Sequence, residues 1–238
     1  VLTGIHLDSY GKDKEDLSII NVIAELNEIN GIRRIRLGSL EPKIITDHFV
    51  TEIKKYSKLC PHFHMSLQSG SDKVLLDMNR RYDSKIFIDA IVKLRNSIPD
   101  VEITTDIIVG YPTETEEDFQ KSMEIVRKAQ FIKTHVFKFS KRKGTKAEKL
   151  QSLNSSVLNE RSRRLISYAT EVSHNKLTGY LGKNLQILIE EKQNNTVIGH
   201  TTNYIKVSAL VSNNVEKDYI NTFCNVTISG LTDDGLKG

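Results

Sequence analysis

The segment HFHMSLQSGSD, residues 62–72, joins two different patterns. An apolar run at 62–67 stops at Gln68-Ser69-Gly70-Ser71-Asp72, and a helical spacing of Val74, Leu75 and Met78 begins at once. Gln68 offers an amide that both donates and accepts. Ser69 and Ser71 offer hydroxyls, and Gly70 lets a ligand approach the backbone. The helix that follows starts with free N–H groups at the positive end of its dipole. Ser71 or Asp72 serves equally well as the cap of that helix, which explains those two residues without a ligand. It does not explain Gln68.

Residues of the same kind close the other apolar runs: TGIHLDSYG (3–11), RLGSLEP (36–42), DIIVGYPTETEEDF (106–119) and FSKRKGT (139–145). Ligands of parallel α/β proteins bind at the carboxyl ends of strands, where loops vary on a rigid base. Polar ends rich in Gly and Pro, gathered on one rim, point to a polar small-molecule site. Asp106 lies inside an apolar strand and needs a partner or the solvent of that site, because a lone buried carboxylate is costly. The acids at 114–118 suit a helix start. His62 and His64 face the same side of their strand. With no cysteine or third ligand beside them they read as packing or hydrogen-bonding residues, and no metal ligands are assigned. No Gly-rich phosphate loop, nucleophile triad order or paired-cysteine motif occurs.

Five buried, strand-like runs position these ends, at residues 1–5, 32–37, 62–67, 101–109 and 133–139. Amphipathic stretches at 17–26, 44–56, 87–94 and 119–126 alternate with them, the pattern of βαβ units. A long charged helix is predicted over 157–180. Short strands follow at 185–190, 196–200, 204–207 and 224–229, with turn tips at Asn194-Asn195 and Ser212-Asn213-Asn214. The chain is therefore predicted as an α/β core over 1–177 and a small antiparallel β-barrel over 178–238.

Of the 238 residues, 38% are apolar and 27% charged, and no run approaches the roughly 20 apolar residues that cross a bilayer. No secretory leader pattern occurs, and the two cysteines, Cys60 and Cys224, are far apart, so a cytoplasmic setting with no membrane partner is expected. The net charge of +4 is concentrated at Lys133, Lys138, Lys141, Arg142, Lys143, Lys146 and Lys149, followed by Arg161, Arg163 and Arg164, which suits a polyanionic partner. Val1 reads as mid-strand, so chain is expected upstream of it.

Taken together, the stretches GIHLDSYG, RLGSLEP, HMSLQSGSD, MNRRY (78–82), TDIIVGYPTETEEDF, FSKRKGTKA and GHTTNYIKV (199–207) resemble the radical S-adenosylmethionine methylthiotransferases, in family order. The resemblance implies a partial TIM-like (β/α)6 barrel lacking its first strand, followed by a TRAM-like β-barrel that binds tRNA. SLEP and TG-x-H-x-x-x-YG resemble the branch acting on N6-threonylcarbamoyladenosine beside the anticodon. The implied reaction places a methylthio group on an unactivated C–H of adenine. It uses S-adenosylmethionine and two 4Fe–4S clusters, and the sulfur donor is left open. Neither cysteine lies in the family's CxxxCxxC loop, so the resemblance implies a fragment, inactive alone, with no catalytic residue of its own.

On this resemblance Gln68, Ser69 and Gly70 receive the ribose and adenine of S-adenosylmethionine. Ser39 and Glu41 face its methionine part, Gly4 and His6 the cluster region, and the strand end from Asp106 to Thr115, which includes Gly110, lies under its adenine. Arg142, Lys143 and Lys146 face tRNA, with Thr201, Asn203 and Tyr204 of the second domain. The alternative is a non-catalytic tRNA-binding protein that uses the barrel as scaffold. A lyase with a strand-end lysine is disfavoured, since no such lysine sits in an apolar setting.

Overall fold

Alternating apolar runs and amphipathic stretches produce, in the computed structural model, a four-stranded parallel sheet in the order β1-β2-β3-β4. The structure describes residues 1–4, 6–14, 17–211 and 219–238. The strands are β1 (Ser39–Leu40), β2 (His62–Met65), β3 (Glu102–Val109) and β4 (Lys133–Lys138). Helices α1 (Ile19–Glu28), α2 (Asp47–Ile53), α4 (Ser84–Ser97) and α5 (Glu116–Ala129) supply the apolar cover, with the short α3 (Asp72–Asp77) after β2. Strand alternation sends Phe63, Met65, Ile103 and Ile107 into a core with Phe87, Ile91 and Phe119. The other face carries His62, His64, Thr104, Asp106, His135 and Phe137.

The (β/α)6 expectation needs correction at its first two strands. The described residues of the run at 1–5, Val1 to Gly4, make one parallel bridge, Leu2 with Leu37, held by Leu2 N–H to Arg36 O at 2.8 Å and Gly38 N–H to Leu2 O at 2.7 Å. The run at 32–37 makes only bridges, and its ladder starts later, at Ser39. Cys60 N–H reaches Ile35 O at 2.8 Å, but His62 N–H, the next donor on that side, turns back to Cys60 O at 2.8 Å, and the pairing shifts by one residue between Ile35–Leu59 and Ser39–His64.

After α6 (Ser155–Leu177) comes a second sheet: β5 (Asn184–Gln193), β6 (Thr196–Thr201), β7 (Lys206–Leu210), β8 (Phe223–Thr227), β9 (Gly230–Thr232) and β10 (Gly235–Lys237). Its order is β8-β5-β6-β7-β10-β9. It is antiparallel except at β7–β10, which run parallel, a departure from the all-antiparallel expectation. The tight β9–β10 hairpin turns β10 into that direction beside β7. Asn194 takes the left-handed conformation at the β5–β6 tip, and the turn expected at 212–214 lies outside the described residues. Among the described residues no helix is long and apolar enough to cross a membrane.

Helix α6 clamps both ends of the parallel sheet. Near its start, buried Arg161 donates to Glu114 Oε1 at 2.6 Å and to Glu114 O at 3.1 Å. Glu114 in turn accepts from Gly110 N–H at 3.0 Å. At its other end Ser173 donates to Ile132 O at 2.6 Å, and Lys176 pairs with the buried carboxylate of Glu102. Tyr180 donates to Glu102 at 2.7 Å and accepts from Asn203 at 3.0 Å, joining the two sheets. Arg34 adds a strut to His200 O at 2.9 Å. Removing one partner of a buried pair leaves a charge uncompensated, so Arg161→Met is expected to cost about 3–5 kcal/mol. Urea unfolding checks this, and Arg161→Met with Glu114→Gln should recover part of the loss. A loss under about 1 kcal/mol for the single variant would show that the pair does not clamp the loop.

Candidate active site at the strand ends

A cavity of about 770 Å³ opens where β2, β3 and β4 end. Gln68 and Asp106 stand in its wall with Arg80, Phe137, Arg142 and Lys146. Gln68 has φ of 70° and is 9% exposed. Its N–H donates to Asp106 O at 2.8 Å and its carbonyl accepts from Ile108 N–H at 2.9 Å, so the backbone is locked onto β3. No described residue partners its side-chain amide, which is left for whatever fills the cavity. Asp106 accepts from His64 Nε2 at 3.2 Å.

The neighbours of Gln68 are used differently from expectation. Ser69 and Ser71 are fully buried. Ser69 Oγ accepts from Ser71 N–H at 3.2 Å, and Ser71 caps α3 while donating to Asp118 at 2.7 Å. A Cβ on Gly70 would lie 2.5 Å from Ser122 Cα, and Gly70 N–H donates to Ser122 Oγ at 2.9 Å. Helix α5 therefore occupies the space where a ligand was expected. Gly110 is likewise a packing glycine, with φ of 77° and Leu158 where a Cβ would go.

The remaining expected cofactor residues are dispersed. Ser39 bonds Ser66 Oγ at 2.5 Å and lines a second cavity, and Glu41 lies 3.9 Å from Arg80. Exposed Gly4 and His6 line neither cavity.

Arg142, Lys143 and Lys146 are exposed beside the strand-end cavity, on a loop anchored by Ala147 against Val74 and Tyr111. Thr201 and Asn203, expected to meet RNA, are buried. Thr201 Oγ1 donates to Asn203 at 2.6 Å and accepts from Ile205 N–H at 2.9 Å, and Asn203 also reaches Asp100 O at 3.0 Å. Every side-chain donor of the two is engaged inside the protein. Tyr204 stacks on His200 at 4.3 Å with the Arg36 guanidinium 3.4 Å from its ring, so both faces are covered. The sequence reading missed Phe137, 52% exposed in the cavity wall, although it lies two residues from His135 and so on the same face of β4.

The second cavity, about 360 Å³, lies at the joint of the two sheets and is lined by His62, His64, His135, Arg36, Lys133 and Tyr204 among others. His62 is buried, with Nε2 3.1 Å from Thr104 Oγ1 and Nδ1 unpartnered. Burial, with Arg36 and the neighbouring imidazoles, lowers its pKa to about 3.

A family model described as the radical SAM superfamily matches residues 3–126. This chain belongs to the radical SAM superfamily. As a superfamily member it is 38% identical over 231 residues to tRNA-2-methylthio-N(6)-dimethylallyladenosine synthase of Caldicellulosiruptor saccharolyticus, covering 95% of this chain and 48% of that one. It is 36% identical over 214 residues to threonylcarbamoyladenosine tRNA methylthiotransferase MtaB of Bacillus subtilis, covering 87% and 48%. The chain thus spans about half the length of the curated relatives it matches. Its fold is similar to that of coproporphyrinogen III oxidase of Escherichia coli, with a TM-score of 0.54 and 18% identity, covering 65% of this chain and 36% of that one.

Superfamily chemistry uses S-adenosylmethionine and a 4Fe–4S cluster. The strand-end cavity, with its unpartnered Gln68 amide, fits a ligand of the first kind. The cluster does not fit the residues here. Cys60 is 4% exposed with its thiol pKa pushed up by burial, and Cys224 belongs to the second sheet, so no three-thiolate set exists.

Two outcomes are expected. Gly70→Ala should cost about 1–3 kcal/mol in chemical unfolding, because its Cβ meets backbone. His62, neutral when folded and with an ordinary value near 6.5 when unfolded, contributes stability that is full above pH 6.5 and is lost as pH falls toward 3. A pH series of melting temperatures should show the decline starting near 6.5, above the range of carboxylate protonation, and His62→Gln should flatten it there. An unchanged profile in that variant would disprove the assignment.

Proposed function

We propose that this chain is the S-adenosylmethionine-binding and RNA-facing part of a tRNA methylthiotransferase whose target is N6-threonylcarbamoyladenosine. The observation that carries the reading is the strand-end cavity itself: an uncommitted Gln68 amide inside and exposed Arg142, Lys143 and Lys146 at its mouth. The names of the relatives supply the reaction class. The SLEP and TG-x-H-x-x-x-YG motifs support the threonylcarbamoyl substrate, while the relatives include enzymes named for either substrate.

S-adenosylmethionine with a reduced cluster supplies a radical able to take hydrogen from an unactivated C–H bond. The residues here bind and orient. Gln68 hydrogen-bonds the ribose or adenine of S-adenosylmethionine, and Asp106, held by His64, borders the same ligand. Arg80 keeps Glu41 beside the cavity, and Phe137 offers a ring face to a base. Arg142, Lys143 and Lys146 neutralise phosphates of the incoming tRNA. The second sheet is assigned as a TRAM-like module contributing surface other than Thr201, Asn203 and Tyr204.

Equilibrium dialysis of this chain with S-adenosylmethionine should detect binding that Gln68→Ala weakens about tenfold, the value of one hydrogen bond. Replacing Arg142, Lys143 and Lys146 by Ala should weaken tRNA binding and lower the slope of log affinity against log salt by about 2–3. Anticodon stem-loops carrying threonylcarbamoyladenosine should bind more tightly than those carrying dimethylallyladenosine. Salt-dependent tRNA binding without any S-adenosylmethionine binding would leave the RNA-binding scaffold as the function.

A further inference from the structure

Strand register brings together three side chains, of which only Asp106 lines the strand-end cavity. His64 pairs across β2–β3 with Thr104, and Asp106 pairs across β3–β4 with His135. Alternation places His64, Asp106 and His135 on one face. One ligand atom from each lies within 4.8 Å of the other two. His64 Nε2 is already 3.2 Å from Asp106 Oδ2, and its Nδ1 is 2.9 Å from Thr104 Oγ1. A metal-bound histidine characteristically has its other ring nitrogen held in this way, which fixes the ring.

The His64–Asp106 hydrogen bond is a complete structural explanation of those two residues but leaves out His135. Its ring lies 6.0 Å from that of His64, centroid to centroid, and no described residue hydrogen-bonds its nitrogens. Bonds of about 2.1 Å to one ion need ligand atoms roughly 3–4 Å apart, within reach of small side-chain rotations here.

We propose that His64, Asp106 and His135 form a facial site of two imidazoles and one carboxylate for a single divalent transition-metal ion, with its open positions toward the joint cavity. The donor set selects iron(II), cobalt(II), zinc or manganese(II) over calcium and magnesium, which take oxygen ligands. Arg36 and Lys133 line the same cavity and oppose a bare cation. Lys133 is solvent-exposed and the Arg36 guanidinium lies against the Tyr204 ring, so both are moderated, and their field favours an anion such as hydroxide or a carboxylate on the open positions. Asp106 also borders the strand-end cavity, so the two sites share one side chain. The proposal does not depend on the methylthiotransferase reading.

The test is a cobalt(II) titration of the untagged chain, followed by visible absorption and equilibrium dialysis. Expected is one ion per chain with a d–d band, displaced by zinc and unaffected by millimolar magnesium or calcium. His135→Gln and Asp106→Asn should each weaken binding at least tenfold, and Lys133→Met should tighten it. His135 makes no hydrogen bond to a described residue, so its variant should keep the wild-type circular dichroism and melting temperature, and it remains informative if His64→Gln or Asp106→Asn fails to fold. The absence of a stoichiometric band, or a band that survives in folded His135→Gln, overturns the proposal.

Discussion

Asp118 accepts from Ser71 at 2.7 Å, Lys73 at 3.1 Å, and the hydroxyl and N–H of Thr115 at 2.9 and 3.1 Å. Burial alone would raise the pKa of its carboxyl. The hydrogen bonds from Ser71, Thr115 and Lys73 prevail and hold it well below the usual carboxylate range. Because one carboxylate ties the starts of α3 and α5 together, the turn after β2 has little freedom. Gly70 is pressed onto α5, Ser71 is committed as a cap, and Gln68 is left in a left-handed conformation with its amide in the cavity. The placement of the Gln68 side chain follows from the commitment of its three successors, Ser69, Gly70 and Ser71.

The joint between the sheets rests on a second buried carboxylate. Glu102 begins β3 and Asp106 sits at the middle of the same strand, so Lys176, Tyr180 and Asn203 fix the second sheet to the strand that carries the candidate site. Arg34 and the stack of Arg36, Tyr204 and His200 fill the remaining space. Polar residues of the Thr201–Tyr204 turn are thus consumed in holding two sheets together, a use that surface-minded reading of a turn does not anticipate.

The legible part of the sequence was its periodicity. The runs at 101–109 and 133–139 became β3 and β4, and the long helix was placed within three residues at either end. What periodicity could not reveal was direction. Ser69 and Gly70 sit at a strand end, as a ligand loop would, but whether a Gly admits a ligand or a helix depends on what packs there, and Ser122 is 52 residues away. The same limit hid the His64, Asp106 and His135 group, whose members come from three strands.

The line from Asp106 through His64 and Thr104 to His62 also has a polarity. Thr104 has one hydroxyl proton for two imidazole neighbours. When His64 Nε2 donates to Asp106, His64 Nδ1 takes the Thr104 proton, Thr104 oxygen accepts from His62 Nε2–H, and the buried His62 Nδ1 is left as a bare lone pair. Replacing the Nε2 proton of His64 turns every member around, and His62 Nδ1 then carries an N–H instead. The order of donors and acceptors along this line is therefore all-or-none, each hydrogen bond fixing the direction of the next.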